Sequence, residues 1–321
     1  MKEFLKSISK TSVMVIGDVI LDRYLFGNIK RKSAEAPIDI VDIDYKKEQL
    51  GGAANVALSF KNLKVDVLLF GFIGNDAAGE KIISIMKKNK MKTSGLLKQN
   101  LTILKTRIIT SKKKHHSRFD FEKIDYTESK QRERLLKMII SNIPKIDFLV
   151  LQDYNKGALN KHMITTIIAE AKNNQKPVMV DPKEKNFTTY KGVKLIKPNL
   201  NEATKLLNRK ITITNKILKK AIVNIQEKTK SDWVILTLGS RGLCILHKGE
   251  FYRESGIPKK NPDVTGAGDN VICISSLAIF HDFSIKKTAE LSNFSGGLCC
   301  NTIGTNPINY DELITKLKQN N

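Results

Sequence analysis

At 321 residues and 41% hydrophobic content the chain is long and apolar enough for a packed core, and no apolar run approaches the ~20 residues a membrane helix needs. Fifty-five Lys and Arg against 32 Asp and Glu leave a net charge of +23, which draws anions generally. The lysines are dispersed (Lys216, Lys219 and Lys220; Lys286 and Lys287) and aromatics make up only 7%, which argues against a nucleic-acid partner and for a solvated surface that gathers phosphorylated substrates.

Residues 1–10 hold no apolar stretch ahead of the first strand, which predicts no secretory leader and a cytoplasmic protein. Val13–Ile16, Val65–Phe70, Phe148–Leu151, Val178–Val180, Leu195–Ile196 and Val234–Thr237 are continuous apolar runs, as in parallel strands buried on both faces. Helical stretches lie between them, at Ala53–Lys61, Gly79–Asn89, Ser129–Asn142, Lys161–Asn173, Asn201–Leu207 and Asn215–Lys228. The alternation predicts an α/β fold, a doubly wound and mostly parallel sheet flanked by helices. Ile38–Tyr45 and Leu101–Thr110 instead alternate polar and apolar residues, as antiparallel strands with one wet face do. They predict a small β-flap from about 24–50 and 100–120 on a single domain spanning 1–321, with Lys112–His116 as an exposed turn at its tip. Cys244, Cys273, Cys299 and Cys300 form no CxxC pair and read as buried thiols.

The strongest chemical signal is Asp263-Val-Thr-Gly-Ala-Gly-Asp269, followed by apolar Val271–Phe280. Gly266, Ala267 and Gly268 let backbone N–H groups converge at a helix start, where the dipole favours an anion such as the terminal phosphate of ATP. Asp269 then stands where a carboxylate of near-normal pKa can take the proton of an attacking hydroxyl. Earlier, Gly51-Gly52-Ala-Ala-Asn55 opens a helix with small residues that admit a ligand to the backbone, and Asn55 offers a donor and an acceptor to a sugar hydroxyl. Gly71-Phe-Ile-Gly74-Asn-Asp76-Ala-Ala-Gly79 follows the next strand, and its Gly71 and Gly79 read as helix–sheet packing. Gly17-Asp18 and Asp22 follow the first strand, where α/β ligands bind, with N-capping as the alternative for either carboxylate. There is no GxxxxGK[ST] loop, no GxGxxG after the first strand and no HRD or DFG set, so a nucleotide site rests on the late glycines.

Taken together, the GGAAN helix, the GxxGxDxxG segment, Asn199-Leu-Asn-Glu202 and DVTGAGD, in that order between about Val13 and Leu313, resemble the ribokinase-like (phosphofructokinase-B) carbohydrate kinases. Gly17–Tyr24, Arg31–Pro37, Arg118-Phe-Asp120, Asp153-Tyr-Asn-Lys-Gly157, Asp181-Pro-Lys183, Lys197–Leu200 and Gly304-Thr305 are similar to the D-glycero-β-D-manno-heptose-7-phosphate kinases. That resemblance implies phosphoryl transfer from ATP to the anomeric hydroxyl of the heptose 7-phosphate, towards ADP-heptose and lipopolysaccharide core. Such kinases are often fused to a nucleotidyltransferase, and this chain resembles the stand-alone form. Asp269 is implied as the base, with Gly266, Ala267 and Gly268 as the anion hole. Asp18, Asp22, Gly51, Gly52, Asn55 and Asp153 are implied at the sugar, with Arg107, Arg118 and above all Lys183 at its phosphate. Thr237, Gly239, Gly242 and Asn293 are implied at the nucleotide, and Asn199 and Glu202 at Mg²⁺ through water. A homodimer through the flap and a monovalent cation such as K⁺ complete what the family implies. The chain departs from the family pattern at Ala34, Lys64, Glu184 and Cys273, and Glu184 raises the question of how the substrate phosphate is held.

Overall fold

The computed structural model describes residues 8–110, 114–122, 128–256, 265–299 and 304–319. The strands are β1 (Ser12–Gly17), β2 (Val19–Lys32), β3 (Asp39–Gly52), β4 (Asp66–Gly74), β5 (Leu96–Gln99), β6 (Ile103–Thr110), β7 (Lys114–Phe121), β8 (Phe148–Gln152), β9 (Val178–Asp181), β10 (Leu195–Ile196), β11 (Trp233–Thr237), β12 (Leu243–His247) and β13 (Glu250–Glu254). The helices are α1 (Ala53–Asn62), α2 (Ala77–Lys88), α3 (Ser129–Asn142), α4 (Lys161–Asn173), α5 (Leu200–Leu207), α6 (Asn215–Thr229), α7 (Ala267–Phe280), α8 (Ile285–Cys299) and α9 (Tyr310–Gln319). None of the described helices is long and apolar enough to cross a membrane.

The large sheet runs β13-β12-β11-β10-β9-β8-β1-β4-β5. It is parallel from β11 to β5, and only β12 and β13 are antiparallel. Its strands read as unbroken apolar runs because both faces are covered. In β1, Val13 and Val15 join the core against α1 and α7, while Met14 and Ile16 join the core against α3, α4 and α6. This alternation of faces along a pleated strand is what a doubly covered sheet requires.

The flap is a second sheet, ordered β3-β2-β6-β7. It differs from the sequence expectation in three ways. It begins at Val19, directly after β1; β6 pairs with β2 in parallel; and His115 and His116 lie inside β7 rather than in a turn, while Lys112 and Lys113 fall outside the described residues. The β2–β3 hairpin, with two strands of 14 residues each, carries irregularities at Phe26/Gly27 and Ile29/Arg31, the kind that bend and twist a ribbon. Two departures from the family pattern also find their place. Lys64 adopts φ 65, a left-handed conformation that favours the glycine it replaces. Glu184 is exposed and pairs with Lys205 at 2.6 Å, so its charge faces outward.

Candidate active site

The site forms where the parallel strands end. Gly17, Gln152 and Asp181 are register partners across β1, β8 and β9, and Lys197 follows β10 beside Asp181. Strand C-termini of open α/β sheets are where the crossover helices leave a crevice. Along that crevice runs a cavity of about 370 Å³, lined among others by Tyr154, Asp181, Lys183, Lys197, Asp269 and the Gly266–Gly268 turn. Asp263 and Val264 of the glycine motif lie outside the described residues. Gly266 caps α7 at φ 82, a conformation a glycine adopts without strain.

Asp269 sits in the first turn of α7, 3% exposed. Its Oδ2 accepts from Asn55 Nδ2 at 2.7 Å, and its Oδ1 accepts from the Tyr154 hydroxyl at 2.8 Å and from Gln152 Nε2 at 3.2 Å. Burial pushes its carboxyl up to about 6; Asp181 adds to the rise, while the Asn55 and Tyr154 hydrogen bonds and Lys197 oppose it. The expected near-normal base is therefore corrected to one poised close to neutrality, because the crevice removes water from it. Gln152 Nε2 also donates to Asp181 Oδ2 at 2.9 Å, and Asp181 Oδ1 pairs with Lys197 Nζ at 2.9 Å.

Several residues expected at the sugar are turned onto the protein itself. Asp18 is buried, with Oδ2 accepting from the Tyr154 and Lys156 N–H groups and Oδ1 from that of Ala158. Burial, with Asp153 nearby, raises its carboxyl to about 6 against those three hydrogen bonds. Asp153 accepts from the Asn155 N–H, Asn186 Nδ2 and the Tyr190 hydroxyl. Both carboxylates thus shape the 153–158 loop that presents Tyr154. Asp22 pairs with Arg107 at 2.5 Å, and a side chain on Gly51 would collide with Asp22 Oδ2. Gly52 caps α1 and lies against the Asp18 carbonyl. Asn55 holds the Asp269 carboxylate, and its own Oδ1 is buried with no hydrogen-bond partner among the described residues, as is Gln152 Oε1.

The basic residues fall into two groups. On the flap, Arg107 of β6 faces Arg118 of β7, and Lys105 lies two residues along the same face. Arg118 grips Asp120 through both Nε and Nη2. The buried Lys105 ammonium lies 5.2 Å from the centre of the Tyr154 ring, and burial lowers its pKa from the ordinary lysine value. Lys183, expected at the substrate phosphate, is paired with Glu202, with its ammonium 5.4 Å from the Tyr154 ring.

Asn199 and Glu202 form a reciprocal capping box on α5: Asn199 Oδ1 accepts from the Glu202 N–H, and Glu202 Oε2 from the Asn199 N–H. No cluster of three or more His, Cys, Asp or Glu suited to a metal occurs among the described residues. Mg²⁺ normally takes one or two carboxylates, waters and the substrate's own phosphates. Glu202, beside the cavity, fits that donor set at one remove. Thr237, Gly239 and Gly242 line the cavity with Ser240 and Leu243, opposite Asn293, Gly296 and Gly297 of α8. Asn293 Nδ2 is tied to the Ser255 carbonyl at 2.8 Å.

The sequence profile of the pfkB family carbohydrate kinases matches residues 10–311. The chain belongs to that family. This kinase is 36% identical over 309 residues to the bifunctional protein HldE of Helicobacter pylori strain J99, covering 96% of the chain and 66% of that protein. It is 31% identical over 306 residues to the bifunctional protein HldE of Aliarcobacter butzleri, covering 95% of the chain and 64% of that protein. The chain thus spans slightly less than two thirds of the length of these relatives. In fold it is similar to phosphofructokinase-2 from Escherichia coli in complex with substrates and products (TM-score 0.78, 17% identity, 95% and 97% of the two chains). It is also similar to Arabidopsis thaliana ribokinase complexed with ribose and ATP (TM-score 0.74, 17% identity, 96% and 99% covered).

Tyr154, Asp181 and Lys197 surround the cavity but entered the sequence reading only inside motifs, with no role given to them, and Gln152 and Lys105 were not singled out at all. The first four had a signal in their position at or just beyond the ends of parallel strands. Lys105 had none, because its place depends on the pairing of β6 with β2.

Proposed function

We propose that this kinase transfers the γ-phosphoryl group of ATP to the anomeric O1 of D-glycero-β-D-manno-heptose 7-phosphate in the cytoplasm, giving the 1,7-bisphosphate used towards ADP-heptose and lipopolysaccharide core. The observation that carries the reading is the joint arrangement of a buried base and a cationic flap. Asp269 accepts from the Tyr154 hydroxyl and Lys105 lies over that tyrosine's ring, with Arg107 and Arg118 beside Lys105 on the flap. Such a flap suits an acceptor that brings a phosphate of its own and gives a neutral sugar or nucleoside no comparable partner. The unpartnered Asn55 Oδ1 and Gln152 Oε1 beside the base are acceptors that sugar hydroxyls would satisfy.

In this reading the anomeric oxygen attacks the γ-phosphorus, the bond from that phosphorus to the ADP oxygen breaks, and the hydroxyl proton passes to Asp269. The N–H groups of the Gly266–Gly268 turn and the α7 dipole hold the charge gathering on the phosphoryl oxygens. ATP lies along the cavity, its base between the Gly239–Gly242 turn and Asn293, with Lys183 and Glu202 on the phosphate side. Glu202 and Asn199 are the residues that would hold Mg²⁺, which would supply neutralising charge to the phosphate oxygens. The single kinase domain carries its flap as a lid. Ile29, Ile38, Ile43, Tyr45, Phe119 and Phe121 are exposed on that flap and suit a homodimer formed through it.

ADP release tests the reading, measured with ATP and Mg²⁺ and heptose 7-phosphate, fructose 6-phosphate, ribose or adenosine in parallel. Turnover confined to heptose 7-phosphate is expected. Preference for fructose 6-phosphate would keep the phosphosugar class and overturn the heptose assignment; preference for ribose or adenosine would overturn both.

A further inference from the structure

We infer that Lys197 is a catalytic residue of the phosphoryl transfer, its ammonium contacting the oxygens of the phosphoryl group in flight. The inference rests on the kinase reading above and adds to the backbone anion hole a side-chain charge to which the sequence pattern gave no role.

Three observations converge. Lys197 is 3% exposed yet lines the cavity together with Gly266, Ala267, Gly268 and Asp269. Its ammonium lies against the start of α7: a side chain on Gly268 would find Lys197 Nζ 3.4 Å away, and no other heavy atom of the described surroundings within 4 Å. Gly268 thus leaves the ammonium against the first turn of the helix. A cation at that end of a helix is opposed by the macrodipole, which favours anions there. Two positive features directed at one small space are mutually unfavourable until an anion enters between them.

Asp181 offsets part of this cost through its 2.9 Å ion pair, but its other oxygen is bonded by Gln152, which also bonds the base. Lys197 is thereby fixed before substrate arrives. Lys183, the other lysine of the cavity, is about a third exposed and paired with Glu202. A charge fixed in advance in a water-poor crevice stabilises a transition state more than one that must reorganise. The alternative is that Lys197 serves only to neutralise Asp181.

The experiment separates these roles in a background that does not need the neutralisation. Asp181→Asn and the double variant Asp181→Asn/Lys197→Met are compared once thermal melts show both folded, and the double variant is also read against wild type, since an uncharged pair of similar volume usually keeps a protein folded where either single change leaves a buried charge unpaired. The double variant is expected to lose a further factor of about 10²–10³ in kcat relative to Asp181→Asn, with KM for the acceptor little changed. It should also bind ADP as before while losing the extra affinity for ADP with aluminium fluoride and acceptor, a mimic of the phosphoryl in flight. A double variant within about threefold of Asp181→Asn in kcat overturns the assignment and leaves Lys197 as a charge partner. Wild-type protein that releases no ADP with any acceptor would remove the kinase reading itself, and this inference with it.

Discussion

Removing the Tyr154 hydroxyl tests how the base is tuned. In Tyr154→Phe, Asp269 Oδ1 loses the 2.8 Å donor and keeps Gln152, while Oδ2 keeps Asn55. A hydrogen bond to a buried charge is worth about 1.5–3 kcal/mol, and about 1.4 kcal/mol moves a pKa by one, so the base should rise by about one to two from its value near 6. The base must be deprotonated to act, so the acid limb of kcat/KM should move upward. With half the wild-type enzyme deprotonated at pH 6, the variant should lose about 5- to 50-fold there and stay within about twofold at pH 9. Burial, with the Asp269 charge, pushes the tyrosine hydroxyl itself well above its usual range, so it remains a donor throughout this window. The assay is initial-rate ADP release between pH 5 and 9 under subsaturating acceptor. An acid limb that does not move would refute the reasoning, and so would an equal loss at every pH.

Asp269→Asn should lower kcat by about 10²–10⁴ with ATP affinity preserved, as removal of a general base does; near-wild-type turnover would dismiss Asp269 from that role. The same variant carries a stability signature. A folded pKa raised from 3.8 to about 6 means the wild type binds this proton more tightly when folded, so its contribution is fully present below pH 3.8 and is lost as pH rises through 6. Asp269→Asn escapes that loss, the more so because the unpartnered Asn55 Oδ1 can turn to receive its new amide. Thermal melts should place it above wild type by up to about 3 kcal/mol at pH 8, with the gap closing towards pH 4. Lys105→Met should raise KM for the phosphosugar about 10- to 100-fold and leave KM for ATP unchanged; equal effects on both would remove Lys105 from the acceptor side. Lys183→Ala should do the reverse, because its ammonium is paired with Glu202 at the capping box; an effect on the phosphosugar alone would return it to the acceptor.

The parallel core was legible because burial on both faces leaves a plain mark in composition. Val13–Ile16 and Phe148–Leu151 could scarcely be anything but inner strands, and both lie at the centre of the sheet. The glycine motif was legible for a related reason, since a left-handed cap at Gly266 leaves little choice of residue. The antiparallel strand β12 and the edge strand β13 beyond it were missed. In β13 the sequence Glu-Phe-Tyr-Arg-Glu shows neither a continuous apolar run nor an extended alternation, as befits a strand at the margin of the sheet.

Sequence by itself determined the family, the α/β alternation, the glycine turn and the choice of Asp269, because these depend on residues near one another along the chain. Tertiary structure decided what each charge does. Asp18 and Asp153, read as sugar ligands, accept hydrogen bonds from the loop at 153–158, and Lys183, read as a phosphate ligand, is paired with Glu202. Tyr154, Gln152 and Lys197 meet only because β8 and β10 bring them around the Asp269 carboxylate, and Lys105 reaches the Tyr154 ring only through the pairing of β6 with β2. Burial at that point changes the chemistry as well as the geometry: an aspartate that water would hold near 3.8 is moved to about 6 by the packing of segments more than 100 residues away.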